Sequence, residues 1–211
     1  MKEELYLIEE LRLVREKHLK ENMLGDLMAN HVWTRMTINS DDLSVHEHIG
    51  EWFTPDMPSW DKEAVRNAVE PIFGEYEEDD DYPIEEVGSK WVVVEDYWQG
   101  SDESEITFTS AWSFPDGYVK KLLEKLLEID EDVEIEFTVD EESDDFLIGG
   151  YGSKMGYTTH EEDSPERPDE SDCESDGLNY EDEVEEFYEK CNEIKSELME
   201  SSKLEVRGNQ L

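Results

Sequence analysis

Sixty acidic side chains stand against eighteen basic ones in 211 residues, a formal net charge of −42. Any fold must spread that charge over its surface while it closes a core, because like charges destabilise the compact state. Six Trp, nine Tyr and seven Phe argue that a core does close, since disordered chains are poor in aromatics. The expectation is a core of modest size with polar extensions. The same charge argues against a surface built to hold DNA, RNA or an anionic membrane, which need Lys and Arg. It points to a basic partner, a cation, a salty environment or the imitation of a polyanion.

The charge is unevenly placed. Residues 1–27 carry seven acids and five bases, a net of −2. Leu7, Leu11, Val14 and His18 recur there at helical spacing before Gly25, which predicts one amphipathic helix. Residues 28–159 carry 34 acids, eight bases and all six tryptophans, a net of −26. Residues 160–211 carry 19 acids and five bases, a net of −14. The expected organisation is an N-terminal helix over 1–27, a folded domain over 28–159, an acidic disordered linker over 160–180, and a C-terminal acidic helix and tail over 181–211. Met28 could serve as an alternative start. Residues 3–10 carry too many acids for a signal peptide.

Within the domain, Val32 to Ile38 alternates apolar and polar residues as a strand does. Asp41, Asp42 and Ser44 are capping candidates for a helix through Val45, Ile49, Trp52 and Phe53, ended by Pro55 and Pro58. A second helix is expected over 61–69, and Glu75 to Asp81 reads as an acidic loop. Lys90 to Val94 and Glu105 to Thr109, joined by Gly100-Ser101-Asp102, read as a hairpin. Pro115-Asp116-Gly117 opens a helix through Val119, Leu122, Leu123, Leu126 and Leu127. Val133, Ile135, Phe137 and Val139 then alternate with Glu134, Glu136 and Thr138, one face apolar and the other acidic. Phe146-Leu147-Ile148 starts the last strand, with a further strand in reserve. Beyond the linker, Val184, Phe187, Tyr188, Cys191, Ile194 and Leu198 mark a helix that could dock on the domain or on a partner. The fold class is α+β, in the order β-α-β-β-α-β, an antiparallel sheet with helices on one face.

Several separated elements are similar to a known family. They are Asn30-His31-Val32 ahead of the first strand, Gly88-Ser89-Lys90-Trp91, Thr109-Ser110-Ala111-Trp112-Ser113 before Pro115, and the glycines of Phe146 to Gly150 and Gly156. Together they resemble the YubB-type ferredoxin-like domain proteins of bacteriophages and mobile elements. Ser89 and Ser110 stand where that family has Thr, and Phe114 where it tends to have Pro. The resemblance covers roughly residues 28–157. It implies a ferredoxin-like fold and a phage origin, and it carries over no active site.

The candidate interaction patch is Lys90, Trp91 and Trp112, with Glu134 and Glu136 on the acidic strand face. The competing expectation makes Trp91 and Trp112 core aromatics and Lys90 a surface lysine among carboxylates. His46 and His48, two apart on a helix, do not face one another as ligands would, and His31 stands apart from them. The acidic runs lack the calcium-loop pattern. Gly149-Gly150-Tyr151-Gly152-Ser153-Lys154 lacks the phosphate-loop spacing and is expected to be a turn or a bulged edge strand. Cys173 and Cys191 are expected to be free thiols. No catalytic residue, metal site or cofactor is assigned.

Three functions remain open. The first is a non-enzymatic phage accessory protein in the host cytoplasm. It would bind a basic surface of a host protein, in its sharpest form as a DNA mimic, with no direct nucleic-acid or membrane contact. The second is an accessory protein whose acidity suits a salty environment. The third is an enzyme built on the sheet, for which fold alone argues nothing. Oligomeric state stays open.

Overall fold

The computed structural model describes residues 30–53, 62–76, 82–171, 173 and 178–208. The expected helix over 1–27 and the acidic run at 77–81 lie outside the described residues.

The alternating stretches become strands β1 (His31–Asn39), β2 (Val92–Gln99), β3 (Glu103–Ala111), β4 (Glu134–Glu141), β5 (Phe146–Ser153) and β6 (Gly156–Asp163). They form one antiparallel sheet in the order β2-β3-β1-β4-β5-β6. Among the described residues five helices complete an α+β architecture: α1 (Leu43–Trp52), α2 (Lys62–Phe73), α3 (Ile84–Val87), α4 (Asp116–Ile129) and α5 (Tyr180–Gly208). None of the helices among the described residues is long and apolar enough to cross a membrane.

The period-2 pattern decides the two faces. Met36 pairs with Ile106 and Phe137, and Ile38 with Ile135, so one face is continuously apolar. Val45 and Ile49 of α1, Val69 and Ile72 of α2, and Leu122 and Leu126 of α4 close over it and are buried. Each such side chain contributes roughly 1.5–3 kcal/mol on full burial. Asp42 caps α1 by accepting the Ser44 amide at 2.9 Å, as its position ahead of the apolar run predicts. His46 is fully buried and structural. Its Nε2 donates to the Ser40 carbonyl at 3.0 Å and its Nδ1 meets the Ser104 hydroxyl at 2.8 Å. His48 instead bonds its own helix through the Ser44 carbonyl. Cys173 and Cys191 are buried and are not joined in a disulfide.

Three expectations need correction. Residues 160–163, expected in the acidic linker, finish β6. The glycine run is neither turn nor edge, because it sits in β5 between β4 and β6. Helices also occupy both faces of the sheet. A Cβ on Gly150 would meet the Phe137 ring at 2.1 Å on the core side, and one on Gly149 would meet the Met199 backbone nitrogen of α5 at 2.3 Å on the other. The glycines are there so that an aromatic ring and a helix can both touch the strand. Leu147 completes the contact with a small second core of Phe187 and Cys191, flanked by Ile194 and Leu198.

Candidate functional site

The buried core on the helix-covered face ends at Ile148 of β5, and the partly buried Tyr157 of β6 packs against it. Beside them opens a cleft of about 580 Å³, within the size range of ligand sites. Phe146 and Ile148 lie along it, Tyr157, Thr159 and Glu161 of β6 flank one side, and Trp112 to Phe114 with the start of α4 flank the other.

Trp112, placed in the candidate patch with core burial as the competing expectation, does not join the core. It is 54% exposed and holds φ at 71°, a left-handed conformation that is an outlier for a bulky residue. A serine network fixes it there. The Ser110 hydroxyl donates to the Ser113 carbonyl at 2.9 Å, Ser113 to the Gly88 carbonyl at 2.8 Å, and Ser89 to the Ala111 carbonyl at 2.8 Å. Residues 88–89 and 110–113, which carry the family resemblance, thus form one pinned turn. Strain of this kind costs about 1–3 kcal/mol and gathers at ligand clamps.

Beneath the turn, Phe114 stacks on Phe137 with centroids 5.4 Å apart, and Phe137 on Tyr157 at 5.9 Å. The Tyr157 hydroxyl donates to Asp116 Oδ1 at 2.9 Å, while Lys120 Nζ binds Asp116 Oδ2 at 2.6 Å and lies over the Tyr157 ring. Burial, reinforced by the Asp116 charge, pushes the Tyr157 hydroxyl well above its ordinary range. The phenol therefore keeps its proton at neutral pH and serves as a hydrogen-bond donor. Glu161 is exposed, and its carboxylate makes no ion pair or hydrogen bond with any described residue. The cleft has the makings of a binding surface: aromatic walls, a satisfied Lys–Asp pair and one free carboxylate.

The other proposed residues lie elsewhere. Lys90 is exposed ahead of β2. The half-buried Trp91 ring is 5.9 Å from that of His31, itself 6.1 Å from Trp33. Glu134 and Glu136 lie on the face of the sheet that α5 covers, and the fold matches their charge with cations. Arg207 holds both Glu134 oxygens at 2.8 and 2.9 Å, Lys203 binds Glu136, and the buried Lys195 binds Asp140 at 2.5 Å. Lys203 and Arg207 also lie over the Tyr151 ring. Glu134 and Glu136 are thus not part of one patch with Trp112. The acidic strand face is the seat of a helix whose inner side carries the complementary bases, a pairing that spacing along the sequence did not reveal.

The outward side of α5 is its opposite. Asp182, Glu186, Glu189, Glu193, Glu197 and Glu200 are exposed and recur at three- and four-residue steps, which aligns them along one side. Among the described residues, no group of three or more His, Cys, Asp or Glu is arranged to hold a metal.

No protein-family model, curated protein or solved structure matches the chain.

Proposed function

We propose that this is a non-enzymatic acidic phage accessory protein that docks on a basic surface of a host protein in the host cytoplasm, as a DNA mimic. The observation that carries the proposal is the division of charge on α5. Its inner bases neutralise the sheet's carboxylates, so the acids left without a counter-charge are concentrated on its outer side. The aligned row spans about 27 Å at 1.5 Å per residue. With the exposed Glu181 and Glu185, the helix displays about one carboxylate per 4 Å between Glu181 and Glu200; Glu205, farther along, is paired with His160 of β6 at 3.0 Å. One strand of B-DNA carries a charge per 3.4 Å or so. Lys190 is the one exposed base between Glu181 and Glu200. A row held on a docked helix has fixed geometry, which a disordered acidic tail lacks, and its field would steer a basic partner to it.

With this reading goes a ferredoxin-like description of the domain, as the resemblance to the YubB-type proteins implies. What supports it is the strand order β2-β3-β1-β4, with helices inserted between β1 and β2 and between β3 and β4. The β5–β6 hairpin would then be an extension at the β4 edge.

The test is capture from host lysate with the wild-type chain and with a variant carrying E186Q, E189Q, E193Q and E197Q. The proposal expects a basic, nucleic-acid-binding protein retained at low salt by the wild type and lost from the variant, with duplex DNA competing for it. Equal retention by both chains, or no basic protein at low salt, would overturn it.

A further inference from the structure

The cleft beside Trp112 lies on the opposite face of the sheet from α5, and it has its own chemistry. We infer that it is a receptor for a single arginine side chain of the basic partner. The inference rests on the basic-partner reading for the sign of its ligand, but it uses none of the residues of α5.

Three features converge on a guanidinium. First, Trp112 is held outward at φ 71° with 54% of its surface exposed. A planar guanidinium stacks on such a ring, and tryptophan gives the strongest cation–π contact of the three aromatic residues. Second, Glu161 pairs in register with Ile148, so it stands on the same face as the cleft floor. Its carboxylate is uncommitted, and carboxylates accept arginine bidentately. Third, the other charges of the cleft are already spent. Lys120 is paired with Asp116 and lies over Tyr157, so Tyr157 already has its cation and Asp116 its counter-ion. What remains open is the Trp112 face, the Phe146 edge and Glu161, a net negative, aromatic space.

The cleft's volume of about 580 Å³ has room for more than one side chain. The hydroxyls of Ser113 and Thr159 on either side are within the kind of rim that binds backbone or the remaining guanidinium donors. An anion is disfavoured, because the one cation present, Lys120, is already neutralised.

The probe is the capped tripeptide acetyl-Gly-Arg-Gly-amide, titrated into the full chain and followed by two-dimensional NMR. The Lys, citrulline and Asp tripeptides serve as comparisons. The expected result is saturable shifts of the Trp112 indole N–H and of the amides around Glu161, with a dissociation constant on the order of 1–10 mM, as suits a single side chain. Citrulline should bind at least tenfold more weakly and Lys severalfold more weakly. E161Q, an exposed change that leaves the core intact, should weaken Arg binding at least fivefold. The four-glutamine variant of α5 should bind the tripeptide as the wild type does, so failure here and failure of α5 docking are separately visible. Shifts that spread over α5, equal binding of citrulline, unchanged binding by E161Q, preferential binding of the Asp peptide, or no shift up to about 50 mM would each overturn the inference.

Discussion

Arg207 grips both carboxylate oxygens of Glu134, at 2.8 and 2.9 Å, across 73 residues of chain. Together with Lys203 on Glu136 and Lys195 on Asp140, it fastens α5 to the acidic side of β4. Arg207 is half exposed, whereas the Lys203 and Glu136 side chains are only 21% and 19% exposed. Exposed pairs contribute less than about 1 kcal/mol, and breaking a sequestered pair leaves an uncompensated charge. R207A should therefore cost under about 1 kcal/mol and K203A about 2 kcal/mol in urea unfolding. The reverse order would show that the pair at the helix end carries the attachment.

Gly149 sets how closely α5 can approach. A methyl group there would meet backbone atoms of Met199 and Leu198 at 2.3 and 2.7 Å, and backbone cannot step aside as a flexible side chain can. G149A should destabilise by about 3 kcal/mol or more, at the upper end of overpacking. Hydrogen exchange should rise along α5 while β1, β3 and β4 stay protected. Uniform loss of protection would mean that α5 and the sheet fold as one unit.

Trp112 offers a test of strain that cancels its own packing. W112A and W112G lose the same ring, and at ordinary positions alanine is the more stabilising of the two by about 0.4–1 kcal/mol. At φ 71° the order should invert, with W112G more stable than W112A by about 1 kcal/mol. Thermal unfolding of the pair reads the sign directly, and a more stable W112A would remove the strain from the account.

Among the described residues, the carboxyls of Asp42, Glu134 and Glu142 lie below their ordinary range. Hydrogen bonds from the Ser44 hydroxyl and amide lower Asp42, and those from the His31 amide and ring lower Glu142. Burial alone would raise Glu134, but Arg207, bound to both its oxygens, outweighs it. A carboxyl that is more acidic when folded contributes stability above its unfolded pKa and loses it as pH falls through the folded one. Stability should thus fall below about pH 4. D42A should be less stable than wild type at pH 7, with the gap closing as the pH drops through that range. A gap that widened in acid would contradict the sign.

Much of the sheet was legible because its strands are half buried. Ile135, Phe137 and Val139 alternate with acids, and β4 follows. The 3- and 4-residue steps of Phe187, Cys191, Ile194 and Leu198 likewise gave α5 and its buried side. β6 was held only in reserve, and its end at 160–163 was placed in the linker, because from Thr158 to Asp163 the strand has no apolar residue to alternate. The glycines of β5 read as a turn or a bulged edge strand because glycine weakens strands; only the neighbouring helix and ring explain them. Trp112 could be read either as patch or as core because tryptophan carries a large apolar surface, and the serine-pinned turn that decides it depends on Gly88 and Ser113 meeting across 25 residues. The bases opposite Glu134 and Glu136 were visible in composition but not in position.

The central claim is that the outer carboxylates of α5 are the docking surface. The most direct measurement is titration of the basic protein captured at low salt, comparing wild type with the E186Q/E189Q/E193Q/E197Q variant at about 50 and 200 mM salt. The account predicts that wild-type affinity falls at least 100-fold between the two salts. The variant should bind at least tenfold more weakly at the lower salt, with a shallower salt dependence. Equal affinity and equal salt dependence for the two chains would contradict it.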